Sequence, residues 1–160
     1  NTGMQCEVYF DIIADLANTF GVSDIIVRAN SKCLSSDVNA GFDPNFPEPM
    51  ERNNCCYLNH GVVITKYTGA RGKSGTSDAS AEYMGKIRNM LDKAGVVWQI
   101  GELGKVDAGG GGTVAKYIAN LDVDVVDLGV PVLSMHAPYE VVSKFDVYST
   151  YRACYEFFKS

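Results

Sequence analysis

Short runs rich in Val, Ile and Leu alternate along this chain with segments whose apolar residues recur at helical spacing, and this alternation is the strongest constraint on its fold. Strands separated by helices predict a three-layer α/β/α arrangement with a largely parallel or mixed sheet. From Glu7 to Phe20, Tyr9, Ile12, Ile13, Leu16 and Phe20 mark an amphipathic helix that Gly21 stops. Asp24 to Ala29 and Lys32 to Asp37 read as strands. Asn39 to Tyr57 carries Pro44, Pro47 and Pro49 and reads as a loop.

Gly61 to Tyr67 resumes a β pattern, and Thr68 to Asp78 is a Gly/Ser/Thr-rich connection ending in residues suited to cap a helix. Tyr83, Ile87, Met90, Leu91 and Ala94 define a helix face closed by Gly95. Val96 to Ile100 follows as a strand, Gly109 to Gly112 as a flexible turn and Thr113 to Asn120 as a short helix. Val123 to Leu128 and Val130 to Met135 are apolar strands. Val147, Tyr151, Cys154, Tyr155 and Phe158 place a last helix against the core. With 160 residues, 46% of them hydrophobic, and no internal repeat, residues 1–160 suffice for one domain core.

A formal charge of −5 and a pI near 4.9 remove the electrostatic basis for nucleic-acid binding. The apolar run Val123 to Met135 is broken by Asp124 and Asp127 and falls short of the ~20 residues of a membrane-spanning helix. The five cysteines, Cys6, Cys33, Cys55, Cys56 and Cys154, show no C-x-x-C spacing, so a reduced, cytoplasmic setting is expected. The N-terminus, Asn1-Thr2-Gly3-Met4, does not resemble a signal peptide.

Ligand-binding side chains in α/β folds stand just beyond the carboxyl ends of strands. Asp37 and His136 each follow such a strand, and a carboxylate with an imidazole suits zinc, or cobalt or manganese. As plain structural residues, the same Asp would cap a turn and the same His would bond locally. His60 reads as a loop residue, and Lys66 as a surface lysine or a group lining a substrate pocket. Glu102 and Asp107 flank the loop to the glycines and are placed either to meet substrate or to be solvated. Gly109 to Gly112 lacks the Lys-Ser/Thr of a P-loop, so a close backbone approach is the favoured reading over phosphate binding. Glu140 and Asp146 favour the first turns of the last helix through its dipole.

Gly129-Val-Pro-Val-Leu-Ser-Met-His136-Ala-Pro-Tyr-Glu140, followed by Ser143-Lys-Phe-Asp146-Val-Tyr148, resembles the C-terminal signature of M18 (aminopeptidase I-type) metalloaminopeptidases. Ser35-Ser36-Asp37-Val38-Asn39-Ala40, the segment from Lys66 to Asp78 and the segment from Glu102 to Thr113 are similar to the same family, in the same order. The resemblance implies the C-terminal portion of a zinc-peptidase-like catalytic domain that removes N-terminal residues from peptides. It also implies metal ligation by Asp37 and His136, a two-zinc site that Co2+ or Mn2+ could also fill, and assembly into a homo-oligomer, a dodecamer in the family. The remaining family ligands, a His, a bridging Asp and a Glu-Glu pair that includes the general base, are expected upstream of Asn1. Little peptidase activity is therefore expected from these 160 residues alone. The alternative of a different class is a noncatalytic interaction or scaffold fragment that lacks the rest of the metal site.

Overall fold

The computed structural model describes residues 3–71 and 74–160. Helix α1 (Val8–Thr19) leads into α2 (Asp24–Ala29), and then come strands β1 (Lys32–Ser35), β2 (Asn39–Ala40), β3 (Val62–Thr65), β4 (Tyr67–Ala70) and β5 (Ser74–Asp78). Helix α3 (Ala81–Lys93), β6 (Trp98–Ile100), β7 (Gly110–Gly111), α4 (Ala115–Ala119), β8 (Asp124–Gly129), β9 (Pro131–Leu133), β10 (Val141–Val142) and α5 (Lys144–Lys159) complete the order.

The main sheet runs β1-β8-β3-β6 and is mixed: β1 is parallel to β8 and β3 to β6, but β8 and β3 meet antiparallel. Strand β8 has two working faces because successive side chains point to opposite sides. Val126 and Leu128 join Val62, Ile64, Tyr83, Ile87 and Leu91 in the main core, which α3 and α5 cover. Val125 points the other way, into a smaller cluster with Ala115 and Ile118 of α4. The three-layer expectation thus holds around β8. Two three-stranded sheets, β10-β9-β2 and β5-β4-β7, extend from this centre.

Four sequence expectations are corrected. Asp24 to Ala29 is a helix, not a strand. The β-branched run Ile25-Ile26-Val27 gave the strand signal, but the Arg28–Asp24 ion pair (3.1 Å, i to i+4) supports a helical turn. Side chains of Asn30 and Ser31 then bond back to the Ile26 and Val27 carbonyls and close its end. Thr68 to Asp78 is not a plain connection but most of the β4–β5 hairpin, with Gly72 and Lys73 outside the described residues. Gly110 and Gly111 form β7 rather than a flexible turn, paired antiparallel with β4. A Cβ on Gly110 would lie 2.0 Å from the Gly69 carbonyl oxygen, so the close backbone approach expected of this run is what requires glycine.

Helix α5 is the fourth. Its buried face is Asp146, Ser149, Thr150 and Ala153, whereas Val147, Tyr151, Tyr155 and Phe158 are exposed. The small residues let the helix backbone approach α3 and β3. Ser149 and Thr150 donate their hydroxyl protons to the carbonyls four residues earlier. Asp146 is fully buried and accepts the backbone N–H groups of Asn59 (2.7 Å) and Gly61 (2.8 Å), so it ties a distant loop to α5. Helix α1 matches its expected span, but Tyr9, Ile12, Leu16 and Phe20 of its apolar stripe are likewise exposed.

Candidate metal and substrate site

Asp37 lies just past the carboxyl end of β1, where the chain crosses β8 at Gly129. A Cβ on Gly129 would stand 1.3 Å from the Asp37 carbonyl oxygen, so only glycine permits the crossing. The Asp37 side chain is exposed and accepts the Val38 N–H at 2.7 Å, an Asx-type local bond that leaves its second oxygen outward. Beyond it, Asn39 is buried, donates to the Thr65 hydroxyl (2.5 Å) and accepts the Cys56 thiol (3.7 Å).

Asp127, on the α4 side of β8, faces the same small cavity of about 30 Å³ as Asp37, Asn39, Thr65 and Thr68. Its carboxylate accepts the Ser35 hydroxyl at 2.7 Å, across the β1–β8 register that pairs the two residues. Burial raises its pKa above the usual carboxylate range and the Asp37 charge adds to the rise, while bonds from Ser35 and Thr113 oppose it. The pattern Ser35–Asp127–Asp37 was not among the sequence candidates. Its only sequence signal is a carboxylate in the middle of the apolar run Val123 to Met135.

His136 lies past β9, in a turn where both it (φ 68°) and Ser134 (φ 58°) adopt the left-handed conformation, uncommon away from glycine. Glu140 accepts the His136 backbone N–H at 2.5 Å and holds this turn. Glu140 therefore acts on the His136 loop, not on the first turn of α5, whose N-cap is the Ser143 hydroxyl. The His136 ring is exposed and has no hydrogen-bond partner among the described residues. His136 is not among the residues that line the cavity beside Asp37, and among the described residues no three His, Cys, Asp or Glu side chains are placed to hold a metal together. His60 is exposed, with Nδ1 at 2.9 Å from the Leu58 carbonyl and its ring against Tyr57, as a loop histidine is expected to be.

A second cavity, of about 230 Å³, opens beside the first between β4, the loop from Glu102 to Asp107 and the glycines of β7. Thr68, Leu103 and Gly111 form walls of both. Glu102 lines the larger one, and burial pushes its carboxyl up to about 7 against the opposing effects of a Tyr67 backbone N–H and the Lys66 charge. Lys66 is itself paired with Asp78. The Thr68 hydroxyl is buried and, among the described residues, has no partner. The five cysteines are free thiols.

The sequence model of the Aminopeptidase I zinc metalloprotease (M18) family matches residues 4–158. Among curated relatives, the probable M18 family aminopeptidase 1 of Clostridium acetobutylicum is 49% identical over 153 residues, which cover 93% of this chain and 33% of the relative. The Thermotoga maritima protein of the same description is 40% identical over 158 residues, 96% of this chain and 35% of that one. The crystal structure of the T. maritima M18 aminopeptidase superposes with a TM-score of 0.92 at 40% identity, over 98% of this chain and 36% of that one. An mApe1 dodecamer from S. cerevisiae is more distant, with a TM-score of 0.64 and 25% identity over 84% of this chain and 28% of that one.

The mixed α/β/α layers are those of the M18 aminopeptidase structures that superpose on this chain. The chain belongs to the M18 aminopeptidase family. It spans about one third of the length of the curated relatives it matches.

Proposed function

We propose that this chain supplies Asp37 and His136 to the metal site of an aminopeptidase that removes N-terminal residues from peptides. The observation that carries the reading is the family match over residues 4–158, which spans both side chains in strand-end loops. Their donor chemistry fits zinc: each is exposed, and neither the outward carboxylate oxygen of Asp37 nor the ring of His136 is taken by another described group. A zinc ion bound there supplies Lewis-acid polarisation of the scissile carbonyl and a lowered water pKa. The chain's own part is to hold Asp37 rigidly over Gly129, to present His136 on a turn anchored by Glu140 and to line the adjoining pocket. A bridging carboxylate and a general-base Glu belong, on this reading, to the two thirds of the family length that these residues do not span. Co2+ and Mn2+ are alternative occupants. Lys66, paired with Asp78, acts on Glu102 through its charge and precedes Tyr67 of the pocket wall, from where it is proposed to meet substrate.

The apolar faces left open on α1 and α5 support assembly with further chain or with other copies, as in the mApe1 dodecamer. A cytoplasmic setting is in keeping with five free thiols, and among the described residues no helix is long and apolar enough to cross a membrane.

A second reading, a noncatalytic interaction module, is favoured by the lack of any three-ligand cluster among the described residues. Zinc titration by calorimetry, on this chain and on a protein of full family length, separates the two. The aminopeptidase reading expects weak zinc binding by this chain that Asp37→Asn and His136→Ala each reduce about tenfold or more, since loss of even an outer-shell partner of a ligand typically costs about 10–100-fold. It expects tight zinc and peptide turnover in the full-length protein. Full-length protein without either would establish the noncatalytic reading.

A further inference from the structure

The small cavity beside Asp37 gathers negative charge that its surroundings do not neutralise. Of its polar lining, Asn39 and Thr65 satisfy one another, which leaves Asp37, Asp127 and the Thr68 hydroxyl. Asp127 is 7% exposed, and its carboxylate is met by two hydroxyls, that of Ser35 at 2.7 Å and that of Thr113. Among the described residues no lysine, arginine or histidine pairs with it, and the nearby charge that acts on it is that of another carboxylate, Asp37. Burying a carboxylate in this way is costly, because an ion taken out of water needs a counter-charge. An asparagine in the same place would accept a hydroxyl proton at lower cost. Hydrogen bonding alone therefore does not account for an acid at position 127.

Its place in the sheet does. Ser35 stands opposite Asp127 in the β1–β8 register, and two residues further along both chains the Asp37 carbonyl lies over Gly129. Residues two apart on a strand share a face, so Asp127 is one step behind Asp37 on the same side of the sheet. The cavity between them, about 30 Å³, exceeds the roughly 10–15 Å³ that one water needs but is too small for a side chain. The Thr68 hydroxyl, buried and without a partner among the described residues, lines it as well. A water in that space has Thr68 and Asp127 as partners, and a cation on Asp37 meets Asp127 across it. We propose that Asp127 is a positioning residue of the metal site, an outer-sphere carboxylate whose charge strengthens the hold of Asp37 on a divalent cation. The inference rests on the aminopeptidase reading for the presence of a metal at Asp37. The Ser35 and Thr113 hydroxyls keep the carboxylate in place, and the charge itself acts on the cation.

Zinc calorimetry beside denaturant unfolding, on this chain and on a protein of full family length, tests the proposal without relying on turnover. Asp127→Asn is nearly isosteric and still accepts from Ser35. It is expected to weaken zinc binding about tenfold or more, as loss of an outer-shell partner does, while the metal-free unfolding midpoint stays level or rises. Ser35→Ala keeps the charge and removes the bond, so it is expected to lower the midpoint yet weaken zinc less than Asp127→Asn. A zinc affinity that simply follows the midpoint across these variants is the mark of a structural carboxylate and overturns the proposal. Carboxyl 13C NMR of the wild-type protein needs no variant to fold: the Asp127 signal is expected to move with that of Asp37 in one zinc titration, and a stationary Asp127 signal overturns the proposal too. Zinc binding that Asp127→Asn leaves unchanged sinks the role of Asp127 alone, whereas a full-length protein that binds no zinc sinks it together with the aminopeptidase reading.

Discussion

The two residues proposed to meet the metal are held in opposite ways. Asp37 sits where one backbone crosses another over a glycine, at the carboxyl end of a parallel strand pair whose interior bond is Ser35 to Asp127. His136 sits on an exposed turn with two left-handed residues, held by the bond from its N–H to Glu140 and by the Ala137 N–H to the Ser134 carbonyl (2.9 Å). The core dictates the first position; a local loop contact dictates the second. Within this chain the carboxylate is therefore preorganised, whereas the imidazole depends on a surface anchor that a small change can release.

Substitutions can break that contrast, and Gly129→Ala has the largest expected effect. Its methyl group would overlap the Asp37 carbonyl, so a loss of about 3 kcal/mol or more in denaturant unfolding is expected, together with loss of zinc binding. A stable, zinc-binding variant would show that the crossing is loose. Next is Glu102→Gln, read by pH. In the fold the Glu102 carboxyl titrates near 7, above the ordinary value of 4.5, so its ionisation disfavours the native state. Stability attributable to Glu102 is full below about pH 4.5 and is lost as pH rises through 7. The glutamine variant should therefore gain on the wild type between pH 5 and 8, by about 1 kcal/mol once partial solvation is discounted. A constant difference across that range would remove the buried-carboxylate account. The smallest effect is expected from Glu140→Ala: an unfolding midpoint close to wild type, and zinc binding weakened less than by Asp37→Asn. A large loss of stability would mean that the His136 turn is part of the core after all.

Much of the layer arrangement is legible in the sequence, because α1, α3, β1, β3 and β8 advertise their periods through large apolar residues at regular spacing. Three things were hidden, each for a physical reason. Helix α2 carries a strand-like composition and owes its shape to polar side chains at its ends. The β4–β5 hairpin and β7 are built from Gly, Ser and Thr, whose small side chains look like loop but allow strands to pack closely. The aromatic residues of α5 suggested its buried side, yet the inward face is Asp146, Ser149, Thr150 and Ala153, because hydrogen bonds inside the helix and to the Asn59 loop satisfy the polar groups. In the site, Asp37 and His136 were legible as types at strand ends, and the resemblance singled them out. Asp127 and the contact of Asn39 with Thr65 were not, since each depends on a partner far away in sequence.

That distance has a consequence for how the protein is made. Ser35 and Asp127 are 92 residues apart, and the platform beneath Asp37 does not exist until β8 has been synthesised. At ribosomal speeds of about 5–20 residues per second, β1 waits roughly 5–18 s for its neighbour to emerge. During that interval Asp37 is a carboxylate on an unpaired strand, and a nascent chain that stops before β8 cannot position it at all.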